Sequence, residues 1–146
     1  MATDPVSPAV EDAVSRQLIR DEGWRNEMYQ DTKGIWTVGV GHNIQERGVS
    51  DAVVQIMFDE DREESWRDAS RLPGWDKCND VRKGVLMQMV FQMGLPTVLR
   101  FRKMLAAIER EDWNLAAHEM LDSKWYKEDT PERALRHAQT MLRGTY

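Results

Sequence analysis

The chain has 146 residues, enough for a single domain with a core of its own. It is 41% apolar and 31% charged, and no apolar run approaches the ~20 residues that a membrane-spanning helix needs, so stable membrane insertion is not expected. A net charge of −5 argues against a nucleic-acid partner, and the single cysteine, Cys78, leaves no internal disulfide to form.

The charge is uneven. Residues 1–75 hold 15 acids and 8 bases, whereas residues 76–146 hold 10 and 12. Lys77, Arg82, Lys83, Arg100, Arg102 and Lys103 make the middle locally basic, either as a solvated helix surface or as an anion-binding face. Cys78 reads as a half-buried helix residue rather than a catalytic thiol.

Residues 1–10 are expected to be a flexible lead-in: Pro5 and Pro8 interrupt it and no period is visible. It carries neither the basic nor the apolar region of a secretory signal, so a cytoplasmic location is expected. A helix is predicted from about Val10 to Glu22, with Val14, Leu18 and Ile19 on one face and Gly23 as a left-handed stop. Asp31-Thr-Lys-Gly34 is turn chemistry. From Ile35 to His42 the pattern alternates, with Trp36, Val38 and Val40 on one face and Ile35, Thr37, Gly39 and Gly41 on the other. A small antiparallel sheet follows, too small to stand without a helical partner.

Ser50 is placed to cap a long helix reaching about Ser70, charged almost all round from Asp59 to Glu64 and stopped by Leu72-Pro73-Gly74. Asp80 to Met93, closed by Gly94, is apolar on nearly every side and reads as a buried central helix. Gln88 and Gln92 share a face of it. They either satisfy neighbouring backbone or line a polar cleft. Further helices are predicted over Thr97–Ile108, over Trp113–Leu121 with Asp112 as cap, and from Pro131 to about Leu142 with Thr130 as cap. The fold class is therefore α+β and mostly helical. A small lobe over about 23–58 is joined by a helix over about 50–72 to a helical lobe of about 73–146, which the first helix (10–22) also joins, all within one domain over 11–146. A cleft between lobes is the expected ligand site.

Glu22, Asp31 and Thr37 follow the spacing E-x8-D-x5-T. Glu22 ends a helix, either as a solvated helix end or, because the macrodipole disfavours a charged carboxylate there, as a group suited to deliver a proton. Asp31 is either an Asx-turn former or the ionised partner of that acid. Thr37 is a strand residue whose hydroxyl, turned away from the Trp36 face, is free to hold a water. Two carboxylates flanking one bond is the general glycosidase arrangement, and their separation decides inversion or retention.

The segment Glu22 to His42 resembles the catalytic segment of the phage-type lysozymes, glycoside hydrolase family 24, of the T-even-phage kind. Met89-Val-Phe-Gln-Met-Gly94, Ser123-Lys-Trp-Tyr126, Thr130-Pro131, Arg133-Ala134 and Arg143-Gly-Thr-Tyr146 resemble the same family, so the likeness covers roughly residues 12–146. The resemblance implies a muramidase with Glu22 as general acid, Asp31 as the carboxylate that prepares the water and Thr37 as the hydroxyl that helps to hold it. It implies inversion of configuration, no cofactor and no metal. It matches Arg133 to an arginine that pairs with the acid, His42 and Asp61 to an ion pair between sheet and connecting helix, and Gln92 and Gln88 to cleft-side positions. The expected partners are bacterial peptidoglycan and a separate holin that releases a monomeric enzyme from the host cytoplasm. One departure stands out: the stretch from His42 to Phe58 is shorter than in the T-even-phage version by about a helix and its loops. Two other readings share the fold, a binding domain without activity and a lytic transglycosylase. The presence of all three chemical residues speaks against the first, and Asp31 with Thr37 against the second.

Overall fold

Pro8, with its fixed φ, opens the first helix, α1 (Pro8–Glu22), in a computed structural model that describes residues 6–146. The expected lead-in falls partly on residues 1–5, outside the described residues, and the helix begins two residues before the expected Val10. Gly23 ends it with its N–H on the Ile19 carbonyl at 2.9 Å. Its φ of 83° is positive as expected, but ψ is 167°, so the chain leaves in an extended direction open to glycine rather than in the left-handed helical one.

Three antiparallel strands follow in the order β1 (Arg25–Gln30), β2 (Trp36–Gly39) and β3 (His42–Asn43). Tyr29 pairs with Thr37 and Thr37 with Asn43, so these three share a face; Gln30 with Trp36, and Val38 with His42, lie on the other. The alternation was read correctly, but the buried face is the Thr37 one. Thr37 is 4% exposed and Trp36 44%. A register shift between Arg25 and Tyr29 bulges β1 and still leaves the Arg25 guanidinium 4.4 Å over the Tyr29 ring. A short helix α2 (Ile44–Arg47) was not foreseen. Asn43 caps it by accepting from the Glu46 N–H at 3.0 Å, and the Glu46 carboxylate accepts from the Asn43 amide in return.

The long helix α3 (Asp51–Ala69) has its expected bounds to within a residue, and Ser50 Oγ accepts from the Val53 N–H at 3.4 Å. The chain divides into two units inside it, the first ending at Val54 and the second running from Gln55 to Tyr146.

The second unit is helical: a 3-10 turn (Trp75–Lys77), α4 (Asp80–Met93), α5 (Leu95–Val98), α6 (Arg102–Glu109), α7 (Trp113–Leu121), a π-turn (Trp125–Asp129) and α8 (Pro131–Arg143). α4 has the predicted bounds and supplies Val85, Leu86, Met89 and Val90 to the core. Against it lie Met104 and Ile108 of α6, Met120 of α7, Trp125, and the stripe Ala134, His137, Ala138 and Met141 of α8 at helical spacing. The single helix expected over Thr97–Ile108 is two. Leu99 to Phe101 tighten into bonds from Arg100 N to Thr97 O and Phe101 N to Val98 O, and Phe101 leaves the helical region at ψ 56°. That turn sets the Phe101 ring edge-on to Trp125, with centroids 6.2 Å apart. Cys78 follows the 3-10 turn rather than lying in a helix, and it is buried, not half-buried. Burial pushes its thiol up to about 11 against the pull of Arg82 and Lys83, so it stays protonated and inert at neutral pH.

One non-glycine residue among those described has positive φ: Glu111 at 57°, between α6 and α7. An L side chain there costs about 1 kcal/mol, so Glu111→Gly is expected to stabilise the protein by roughly 0.5–1 kcal/mol in thermal unfolding. A lower melting temperature in the variant would show that the Glu111 side chain contributes more than its backbone costs.

Candidate active site

The first unit brings the three candidate chemical residues onto one small scaffold. Glu22 is the last residue of α1 and its carboxyl lies against the turn between β2 and β3. A Cβ added to Gly41, where φ is 64°, would stand 2.7 Å from Glu22 Oε2. Glycine suits that backbone, and an added Cβ would push the carboxyl aside. The acid thus abuts the far end of the strand that carries Thr37.

Asp31 sits at the near end of the same strand. Its Oδ1 accepts from the N–H groups of Lys33 at 2.8 Å and Ile35 at 2.9 Å, while its own N–H donates to Ile35 O at 3.0 Å and its C=O accepts from Gly34. The turn-forming reading of Asp31 is therefore correct, and it does not exhaust the residue. One oxygen is pinned to the backbone, and Oδ2 has no protein partner among the described residues. A carboxylate held by one oxygen in this way offers the other in a fixed direction.

Thr37 is not free in the sense expected of it. Its Oγ1 donates to Ile35 O at 3.0 Å. With the proton committed, the hydroxyl can only accept from any further partner.

The supporting candidates lie elsewhere. His42 of β3 meets the Gly48 carbonyl through Nε2 at 2.6 Å, so that nitrogen carries the proton. Asp61, its partner by resemblance, is in α3 within the second unit. Arg133 is the third residue of α8 and half-buried. Gln92 spends its amide inside the second unit, accepting from Trp125 Nε1 and donating to Thr130 Oγ1, both at 3.1 Å. This takes the Thr130 hydroxyl away from the capping role predicted for it: α8 has no side-chain cap, and its backbone begins instead from the Thr130 carbonyl. Gln88 turns back to the Gly84 carbonyl at 3.3 Å.

Sequence reasoning left the basic cluster undivided. Arg82 turns inward to the end of α8, Lys83 lies 5.6 Å over the Trp75 ring, and Arg100, Arg102 and Lys103 line a cavity of about 630 Å³. Phe101 and Trp125 form the apolar wall of that cavity, which Glu119 and Asp122 also line, Asp122 being paired with Lys127 at 2.6 Å. None of the three cations has a carboxylate within ion-pair distance among the described residues. The arrangement suits a ligand with both carboxylate and ammonium groups. Among the described residues no cluster of His, Cys, Asp and Glu could hold a metal ion.

The phage lysozyme family matches residues 20–139. The chain is 29% identical to probable T4-type lysozyme 1 of Dictyostelium discoideum across 91% of this chain and 95% of that protein. It is 31% identical to probable T4-type lysozyme 2 of the same organism, across 86% and 91%. It is also 32% identical to the pre-baseplate central spike protein Gp5 of Enterobacteria phage T4, across 90% of this chain and 28% of that protein. The first of these alignments spans 163 positions, more than the 146 residues of this chain, so that relative carries residues lacking here. The family match runs from Arg20 to Gln139 and takes in Glu22, Asp31, Thr37 and Arg133 together; the chain belongs to the phage lysozyme family.

Proposed function

We propose that the protein is a muramidase that hydrolyses the β-1,4 bond between N-acetylmuramic acid and N-acetylglucosamine in bacterial peptidoglycan. Glu22 gives its proton to the leaving sugar oxygen, while Asp31 and Thr37 orient the attacking water, Asp31 as base through its free oxygen and Thr37 as acceptor. Attack from the face opposite the leaving group inverts the anomeric centre. The observation that carries this reading is the seating of Glu22 against Gly41, which sets the acid at one end of β2 and the pinned Asp31 at the other. The cavity beside Trp125 receives part of the wall polymer that bears both amine and carboxylate groups, its peptide stems. The setting is that of an endolysin, held in the host cytoplasm until a separate holin opens the membrane.

Digestion of purified peptidoglycan, with fragments identified by mass, tests the reaction. Reducing muramic ends are expected. Anhydro ends would make the chain a transglycosylase, and undigested wall with retained binding would make it a binding domain.

Thr37→Ala isolates the water-holding role. The rate is expected to fall by about tenfold to a hundredfold, at a stability cost of about 1 kcal/mol from the lost hydroxyl bond, the Ile35 carbonyl keeping the Asp31 N–H. A rate unchanged in wall-clearing assays would remove Thr37 from the mechanism.

A further inference from the structure

The buried stripe of α8 contains one titratable residue, His137, 9% exposed among Ala134, Ala138 and Met141. Its imidazole stacks on the indole of Trp125, with centroids 5.9 Å apart and planes 18° from parallel. Its Nε2 is buried with no hydrogen-bond partner among the described residues. A neutral imidazole tolerates this by keeping its single proton on Nδ1, which leaves a bare lone pair inside. A second proton turns Nε2 into a buried N–H with no acceptor, on a ring that now carries charge.

Among the described residues nothing nearby offsets that charge. Arg133 and Arg136, on the same helix, repel it. α7, the π-turn and α4 pack against α8. Neither His118 and Glu119 on α7, nor Lys127, Glu128 and Asp129 on the π-turn, nor Asp80, Arg82 and Lys83 on α4 contributes to the ring's titration. The indole on which the ring lies is held by Gln92, which holds Thr130 in turn, and Trp125 also walls the 630 Å³ cavity.

We infer that the His137–Trp125 stack is an acid-sensitive latch: a proton taken from solvent by the imidazole drives the ring out of the stack, releases Trp125 from Gln92 and loosens that cavity wall. Burial, with Arg133 and Arg136 adding to it, holds the folded imidazole down to about 4 against an ordinary value of 6.5. The unfolded chain therefore binds the proton more readily. Stability is complete above pH 6.5, declines as pH falls toward about 4, and levels off below that. Each pH unit lost within this window costs about tenfold in the folding equilibrium, so His137 removes up to ~100-fold by pH 4.5. The latch is independent of the reaction proposed for Glu22.

The test compares the full chain with His137→Phe, which keeps an aromatic ring on Trp125 and removes the titration. Urea unfolding at pH 7 and 4.5 should show the wild-type equilibrium weakening by about tenfold to a hundredfold more than that of the variant, the carboxylates being common to both. In wild type, the Trp125 indole N–H resonance should shift with a midpoint near the imidazole's about 4, and in the variant it should not. Parallel stability profiles would overturn the inference. So would a His137 ring that titrates at its ordinary value in the folded protein with the Trp125 resonance unmoved. The second measurement needs only the wild-type chain and decides the matter even if the variant fails to fold.

Discussion

Glu22→Gln is expected to lower the rate of wall digestion by about 10²–10⁴, the range that a positioned general acid supplies. Glutamine keeps the shape that lies against Gly41 but cannot give up a proton. Thermal stability should be equal or slightly higher, because a negative charge is removed from the last turn of α1, where Asp21 already stands. Asp31→Asn is the companion variant. Its Oδ1 can still accept from Lys33 and Ile35, so the turn survives while the charge of the free oxygen is lost. Loss of rate in both variants, with folding intact, locates the chemistry at the two ends of β2. If Glu22→Gln keeps more than about a tenth of the rate, the proton comes from another group.

Arg82→Ala is expected to cost about 2–4 kcal/mol of stability in denaturant unfolding, the largest effect foreseen for a residue away from the chemistry. Arg82 Nε donates to Met141 O at 2.7 Å, its terminal nitrogen donates to Leu142 O at 3.1 Å, and the guanidinium lies 3.9 Å over the Trp113 ring. It thus closes the C-terminal end of α8, where two carbonyls have no helical partner. Gly144 packs so closely that an added Cβ would come within 2.8 Å of the guanidinium. Lysine at position 82 should rescue little, since an ammonium cannot bridge both carbonyls and lie flat on the indole. A loss below about 0.5 kcal/mol would mean that the helix end is held by Asn79, whose side chain reaches Gly144 O at 2.9 Å.

What could be read in the chain was whatever short-range chemistry decides. α4 ends where Gly94 ends its apolar run, Asp112 caps α7 by accepting from Leu115 N at 3.1 Å, and Asp31 forms the turn its type favours. α2 was legible too and was missed: Asn43 with Glu46 three residues on is a close relative of the capping-box signature. The split between α5 and α6 was not legible, because the Phe101 ring turns to meet Trp125, distant in sequence. The same holds for Thr130, which looked like a cap and was claimed by Gln92, and for Arg82, which looked like surface charge. Side chains with two possible partners are settled by tertiary neighbours, and periodicity carries no record of them. In the candidate site, the residue types and spacing were legible. The commitment of the Thr37 proton to Ile35 and the division of labour between the two oxygens of Asp31 were not.

The gap at Gly41 has an implication for how such a protein loses activity. The Glu22 carboxyl, the acid of the proposed reaction, is located by an absence of atoms rather than by a bond, so a single methyl group at position 41 would displace it while the bonds of Asp31 and Thr37 stayed in place. An inert descendant can therefore keep the whole chemical signature, acid, turn carboxylate and hydroxyl, and be betrayed only by the one position that has no chemistry of its own.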